Sequence, residues 1–150
     1  MHRALAILQA VVAAIDPDDV QAAVFESGVI SLDDQDQELP AIDVSMGEDP
    51  PFSDAGVENL AFIDSLLSIK VSLYAKAKTK KELVTELLRL RSETHQILLA
   101  GDRTQGLAYV IDTRYGGAEA PELNTEGSSM TGMLVTNYQV HYRMSVSTPE

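Results

Sequence analysis

The sequence is poor in the residues that build reactive or cross-linked sites. It contains no cysteine, no tryptophan and only three histidines, which are His2, His95 and His141. The absence of cysteine excludes disulfide bonds and thiol chemistry, and it fits a reducing compartment. Because no histidine has another one three or four positions away, the sequence offers no local histidine pair for a metal ion.

Long hydrophobic runs are also missing. No apolar stretch approaches the ~20 residues that cross a bilayer, so we expect no membrane partner. The first residues lead into an amphipathic segment instead of a uniformly apolar one, and we therefore expect no signal peptide. With 150 residues, of which 45% are hydrophobic, the chain has the size and composition of one domain with its own core.

Basic residues are scarce in the first part of the chain. Residues 1–64 contain 14 Asp and Glu against Arg3 alone, whereas residues 65–150 contain 9 acidic and 10 basic residues. An acidic surface repels phosphate backbones, so we expect no sequence-specific nucleic-acid binding. The wall of a channel through which DNA slides can nevertheless be acidic, and a merely solubilising surface explains the same charge.

The common catalytic motifs are absent too. The chain has no Gly-x-Ser-x-Gly elbow, no Gly-x-x-x-x-Gly-Lys loop and no Gly-x-Gly-x-x-Gly turn. The run Asp34-x-Asp36-x-Glu38 is similar to the start of an EF-hand loop, but Leu39 and Ser45 stand where that loop needs glycine and a bidentate acid. We predict no enzyme, no metal and no cofactor, although counting residues does not exclude a hydrolase that uses two carboxylates.

Residues 67–101 carry the clearest secondary-structure signal. Every second residue from Leu67 to Ala75 is apolar, which predicts a strand with one buried and one solvated face. Thr79-Lys80-Lys81-Glu82 matches a capping box and predicts the beginning of a helix. Leucines then follow at helical spacing as far as Gly101, where we expect a left-handed residue to end the helix.

The other elements follow from the same two periodicities. Residues 3–15 predict a helix, and residues 20–30 fit either a short helix capped by Asp19 or the two strands of a hairpin, which we favour. Further strands are predicted over residues 39–44, 106–112 and 133–146. Four glycines and little periodicity predict a long mobile loop over residues 115–132.

Together these elements predict one α+β domain over residues 1–150. We expect a mixed, mostly antiparallel sheet of about four to five strands with two main helices packed on one face. The last strand should place Leu134, Thr136, Tyr138, Val140, Tyr142 and Met144 on its buried face.

The order of elements resembles the tail terminator proteins of long-tailed bacteriophages, the lambda-type family. The resemblance is carried by the opening helix, by Leu39-Pro40-Ala41-Ile42-Asp43-Val44 after a charged loop, by the strand at 67–76 that leads into the long helix, and by the closing strand at 135–142. These parts span nearly the whole chain. The predicted loop at 115–132 is longer than expected of the smallest members.

The resemblance implies a structural protein of the virion, assembled in the cytoplasm of the bacterial host. It implies a hexameric ring that caps the tail tube at the neck, ends tube polymerisation and docks onto the head-tail connector. The implied partners are copies of the chain itself, the tail tube protein and the head-tail connector protein, with DNA only as passing cargo. Two alternatives stay open: a neck or tail-completion protein that joins head and tail, and a small acidic adaptor domain that binds a peptide by strand addition.

A head-to-tail ring requires two different complementary patches on each subunit. We expect lysines of one subunit to face acidic residues of the next, with Lys70, Lys76, Lys78, Lys80 and Lys81 on one side and Asp33, Asp34, Asp36 and Glu38 on the other. The predicted loop is expected to become ordered on the tube through Tyr115, Gly116, Gly117, Glu119, Glu122 and Glu126. His141 and Arg143 are either a site, the solvated side of the sheet or part of a subunit contact, and we favour the last two.

Overall fold

In a computed structural model, which describes residues 2–27, 39–51, 62–125 and 129–145, the chain forms three α-helices and six strands in these ranges. The helices are α1 (Arg3–Ala14), α2 (Pro17–Val20) and α3 (Lys80–His95), and a π-helical turn, Gln96–Ala100, continues α3. The strands are β1 (Ala23–Glu26), β2 (Ala41–Met46), β3 (Phe62–Ala77), β4 (Val110–Ala118), β5 (Glu122–Asn124) and β6 (Met130–Ser145).

The six strands form one sheet in the order β1-β2-β3-β6-β4, with β5 also paired to β6. Only β1 and β2 are parallel, so the predicted mixed and mostly antiparallel α+β fold is confirmed. β3 and β6 pair along their whole length, from Phe62 opposite Ser145 to Ala77 opposite Met130. At about 3.3 Å per residue, this central ribbon is about 53 Å long.

One face of the ribbon, the core face, is buried under the helices. Its alternating residues are fully enclosed: Leu67, Ile69, Val71, Leu73 and Ala75 on β3, and Leu134, Thr136, Tyr138, Val140 and Tyr142 on β6. The apolar residues among them form a single hydrophobic cluster with Ile7 and Val11 of α1 and with Leu83, Leu87 and Leu90 of α3. Each large side chain buried there stabilises the fold by about 1.5–3 kcal/mol. The predicted buried face of the last strand is thus confirmed from Leu134 to Tyr142, while Met144 is only partly buried against the same cluster.

The long helix begins where the sequence predicts and ends in a different way. The hydroxyl of Thr79 accepts a hydrogen bond from the backbone N–H of Glu82 at 3.2 Å, which confirms the N-cap. The prediction that a left-handed residue at Gly101 ends the helix is wrong, because Gly101 has φ −84°. A Cβ at Gly101 would lie 2.8 Å from the carbonyl oxygen of Ile97, so glycine is needed there for a close approach of the backbone.

The predicted loop over 115–132 is wrong for most of its length. β4 continues to Ala118, β5 follows, and β6 already begins at Met130, while residues 126–128 lie outside the described ranges. Register shifts between Val110 and Asp112 and between Tyr115 and Gly117 break the alternation of β4, which hides the strand from a period-two pattern. The strand predicted at 106–112 is therefore displaced to 110–118.

For residues 20–30 the structure has a strand, β1, as favoured from the sequence, and the short helix α2 ends at Val20, where this segment begins. α2 is a short helix, but its N-cap is Asp16 instead of Asp19, and its C-cap Gln21 has φ 52°. The following strand β1 pairs in parallel with β2, with Ala23 opposite Ala41, whereas the second arm predicted for the hairpin, Val29-Ile30, lies outside the described ranges. Residues 28–38 lie outside the described ranges. Among the helices that are described, none is both long enough and apolar enough to cross a membrane.

Candidate interaction surfaces

Most charged side chains of the described residues lie at the surface. In these ranges no three His, Asp or Glu side chains come together as a group that could hold a metal ion. A cavity of about 280 Å³ next to α2 is lined by Pro17, Gln21, Ala22, Ala23, Leu39 and Pro40. None of these six side chains is acidic, basic or nucleophilic, whereas charged groups occupy both ends of the ribbon.

One end of the ribbon carries the lysine turn, which we define as Lys76, Lys78, Lys80 and Lys81. It covers the last residues of β3 and the first residues of α3, and all four side chains are exposed. Within the described part of the chain, none of these four ammonium groups is in an ion pair or a hydrogen bond. Positive charges at the positive end of a helix dipole are unfavourable, so this surface exists at an electrostatic cost.

Lys70 does not belong to this cluster. It lies on the outer face of β3, between Ser45 of β2 and Asn137 of β6. Six residues of extended strand separate it from Lys76, which corresponds to about 20 Å. The structure therefore brings together four of the five lysines that the sequence analysis grouped.

The opposite end of the ribbon carries an ion cluster built from Asp64, His141 and Arg143. Asp64 accepts hydrogen bonds from Nε and Nη2 of Arg143 at 2.7 and 3.2 Å, and its Oδ2 lies 3.0 Å from Nε2 of His141. The register places Asp64 directly opposite Arg143 on the outer face. These hydrogen bonds, from Arg143 above all, hold the pKa of Asp64 below its usual value although burial opposes the shift.

The ion cluster shows what sequence reasoning found and what it missed. The placement of His141 and Arg143 on the polar face of the last strand is confirmed, whereas their role in a subunit contact stays a prediction. Their shared partner Asp64 was missed, because it lies on another strand and only the register reveals the pairing. The alternation of buried and polar residues in β3 could have identified Asp64. When the strand is extended back to Phe62, the same alternation places Asp64 on the polar face.

Apolar side chains are exposed beside the ion cluster. Phe62 and Ile63 are 43% and 42% exposed, and the guanidinium of Arg143 lies 5.6 Å from the centre of the Phe62 ring. Arg3 of α1 lies 4.6 Å from the ring centre of Tyr109 and donates a hydrogen bond to the carbonyl oxygen of Arg143. This end of the ribbon, the arginine end, is thus a surface of apolar residues and charges of both signs, unlike the lysine turn.

A histidine and two tyrosines join α3 to the β4 side of the sheet. Nδ1 of His95 is hydrogen-bonded to the hydroxyl of Tyr138, and the ring centres of His95 and Tyr115 are 4.6 Å apart. Burial, and secondly the charge of Arg91, lower the pKa of His95, while burial raises the pKa of Tyr138. The imidazole is therefore neutral and the phenol protonated at neutral pH, which suits a structural link.

The residues predicted to lie in the loop occupy other positions. Tyr115 packs against His95 and Tyr138 although it is 40% exposed. Gly116 and Gly117 lie in β4 beside its second register shift. The N–H of Glu119 donates to the carbonyl oxygen of Val135, and Glu122 pairs with Met133 as the first residue of β5. Glu126 lies outside the described ranges, as do Asp33, Asp34, Asp36 and Glu38.

A second charged turn lies in the described N-terminal part of the chain. The acidic turn, which we define as Asp16, Asp18 and Asp19, forms the N-cap and first positions of α2, and its three side chains are exposed. Oδ1 of Asp16 accepts from the backbone N–H of Asp18 at 2.9 Å. Arg89 of α3 donates to the carbonyl oxygen of Val20 at 3.0 Å, which fixes this turn against the long helix.

Comparison with known proteins finds a similar fold in a solved structure. No protein-family model matches the sequence, and no curated protein matches it. A chain from a solved structure of the virion of a native gene transfer agent particle is similar, with a TM-score of 0.54 and 14% sequence identity. The match covers 90% of this chain and 94% of that chain. The two chains share a fold. Because the match is nearly complete on both sides, the shared unit is the whole α+β domain.

Proposed function

We propose that this chain is a structural protein of a phage-like virion and acts there as a tail terminator. The observation that supports this most is the fold shared, over nearly the whole chain, with a chain of a gene transfer agent virion. The shared fold supports a structural role in a virion, and the order of elements along the sequence, which resembles tail terminators, is the reason for proposing the terminator role. In this proposal the chain caps the tail tube, ends its polymerisation and provides the docking surface for the head-tail connector.

The two ends of the ribbon support a role between two different partners. A subunit of a terminator ring contacts its neighbour in the ring as well as a tail protein, so it needs chemically distinct surfaces for these two kinds of partner. The lysine turn is cationic, whereas Phe62 and Ile63 make the arginine end partly apolar. Surfaces of such different character select different partners, because both charge and apolar area contribute to specificity.

The charged clusters support binding in preference to catalysis. Asp64 is already held by Arg143 and His141, and its lowered pKa makes the carboxylate a weak base. General acid or base catalysis near neutral pH instead favours a carboxylate with a raised pKa. We therefore propose that the ion cluster organises a surface and does not act on a substrate.

The proposed assembly is a homo-hexameric ring at the tail end of the virion, in the neck region. Its partners are the tail tube protein and the head-tail connector protein, and DNA passes through as cargo. The lysines of the lysine turn lie on one side of the subunit contact, and the pairing with Asp33, Asp34, Asp36 and Glu38 of the next subunit stays a prediction. His141 and Arg143 are proposed to lie near a partner surface at the arginine end.

The growth of tail tubes in vitro tests this function. The tail tube protein of the same phage is allowed to polymerise with and without this chain, and tube lengths are measured by electron microscopy. We expect shorter tubes that carry extra density at one end when the chain is present. Unchanged lengths and bare tube ends would contradict the proposal, and binding to DNA-filled heads but not to tubes would favour the neck protein.

A further inference from the structure

We infer that the lysine turn of one subunit binds the acidic turn of its neighbour, so that an electrostatic contact between unlike surfaces closes the ring. This inference rests on the proposed function, because it names the contact by which copies of this chain assemble. It differs from the pairing expected from the sequence, since the acidic partner is now Asp16, Asp18 and Asp19.

The charge of the lysine turn is unbalanced. Lys80 and Lys81 occupy the first two positions of α3, where the helix dipole repels them, and Glu82 is the acidic residue of that first turn. The described residues provide no carboxylate in contact with these four ammonium groups. An anionic partner would relieve both the mutual repulsion and the dipole repulsion, so the surface is complementary to negative charge.

The acidic turn has the opposite imbalance. Three carboxylates lie within four residues, and among the described residues none of them is paired with a cation. The backbone beneath them is fixed by the Asp16 cap and by the hydrogen bond from Arg89 to Val20. Two oppositely charged, unpaired and anchored surfaces therefore exist on one subunit.

The placement of the two turns favours contact between copies. Lys80 begins α3, whereas the acidic turn is attached near Arg89, nine positions and about 13 Å further along the helix. The two surfaces do not touch within a subunit, and patches at different places on one subunit produce head-to-tail assembly. Duplex DNA is the less favoured anion, because a net charge of −12 repels phosphate backbones at long range.

Two charge-reversed variants test the contact. The first carries Lys80→Glu and Lys81→Glu, and acidic residues at a helix N-terminus do not endanger α3. The second carries Asp18→Lys and Asp19→Lys and keeps Asp16 as the cap. We expect wild-type rings in native mass spectrometry, and we expect each variant alone to lose assembly, with at least about tenfold weaker association at 0.15 M salt.

Mixing the two variants is the decisive arm of the experiment. Each interface in an alternating ring then brings together positions 80–81 and 18–19 either in their native form or with both pairs exchanged, so these positions again carry opposite charges. We expect the mixture to assemble into rings with equal numbers of both variants. Lys70→Glu serves as the matched control, because Lys70 is an exposed lysine outside the lysine turn, and this variant should assemble like the wild type.

The outcomes separate this inference from the proposed function. Variants that assemble alone like the wild type, or a mixture that stays unassembled, overturn the inference and leave the terminator proposal standing. A wild-type chain that forms no ring, with or without tail tubes, overturns both. If Lys80→Glu with Lys81→Glu keeps the ring but lowers its affinity for duplex DNA in fluorescence anisotropy, the lysine turn is a DNA surface and the inference is wrong.

Discussion

Asp64 holds the other two side chains of the ion cluster, Arg143 and His141, in place at the arginine end. Replacing it with Asn removes the charge that pairs with Arg143 and His141, and we expect a loss of about 1–2 kcal/mol in the free energy of unfolding. Urea denaturation at pH 7 measures this value. Asp112→Asn is the matched control, because Asp112 and Arg103 form an exposed pair and the change should cost under about 0.5 kcal/mol. Equal losses in both variants would contradict this account.

The stability that the Asp64 carboxylate contributes depends on pH and decreases in acid. The pKa of Asp64 in the folded chain lies below its usual value of 3.8, so the folded state binds this proton less readily than the unfolded state. Its contribution is fully present above the unfolded pKa and is lost as the pH falls through the folded pKa. We therefore expect the stability difference between wild type and Asp64→Asn to shrink between pH 5 and pH 3, in urea titrations at each pH. A difference that grows in this range would contradict the assignment.

Gly132 illustrates why a glycine misled the sequence reasoning. A Cβ on this residue would lie 3.0 Å from Cδ2 of Leu123 and 3.1 Å from Cδ2 of Leu83, so glycine allows β6 to approach α3 and β5 closely. The sequence pattern predicts a loop at this position, because glycine more often marks turns than close packing within a strand. The contacts of this position depend on two residues far away in sequence, and composition does not reveal them.

Substitution of Gly132 tests that packing. Gly132→Val should lower the free energy of unfolding by about 1–3 kcal/mol through overpacking, and Gly132→Ala should cost less, because the leucine ends can move by a few tenths of an ångström. Chemical denaturation measures both values. If Gly132→Val were as stable as the wild type, the close approach described here would be wrong.

Among the larger elements, those with a strong local signal were predictable. The alternation in β3 and β6, the leucine spacing of α3 and its Thr79 cap are local properties, and the structure confirms each of them. The bulged strand β4 and the parallel pairing of β1 with β2 were not predictable. Bulges cancel the period of two, and parallel pairing is set by long-range packing that leaves no pattern in a four-residue strand.

The cap of α3 offers a test at this level. Thr79→Ala removes the hydroxyl that accepts from the N–H of Glu82, and we expect a loss of about 1 kcal/mol in the free energy of unfolding. Thermal and urea unfolding measure it. Thr85→Ala is the control: Thr85 is an exposed threonine inside the helix, its hydroxyl only donates to the carbonyl oxygen of Lys81, and alanine is a better helix former. A cap variant as stable as this control would argue against the capping role.

The candidate surfaces were predictable to different degrees. The lysines and the polar face of the last strand follow from local sequence, and the structure places them on exposed or partly exposed positions. The acidic turn was visible as a charge cluster, yet only the packing of α2 against Arg89 shows that it is a fixed surface. The aromatic contacts of Tyr115 with His95 and Tyr138 were hidden, because they join three separate elements.

The whole molecule combines a rigid sheet with an uneven distribution of charge. Its two charged turns are held by the same helix, and the ends of its central ribbon differ in chemistry. This arrangement predicts that assembly depends on ionic strength, because exposed ion pairs are screened by salt. We expect sedimentation velocity to show rings at low salt and fewer rings above about 0.5 M. Rings that resist high salt would point to an interface dominated by apolar contacts, such as those available at Phe62 and Ile63.

The most direct test of the central claim is electron microscopy of the purified chain. The proposed terminator should appear as closed rings with a central channel, predominantly with six subunits, and the same rings should be seen at one end of added tail tubes. Isolated single subunits at every concentration, together with tail tubes that carry no ring, would contradict the account.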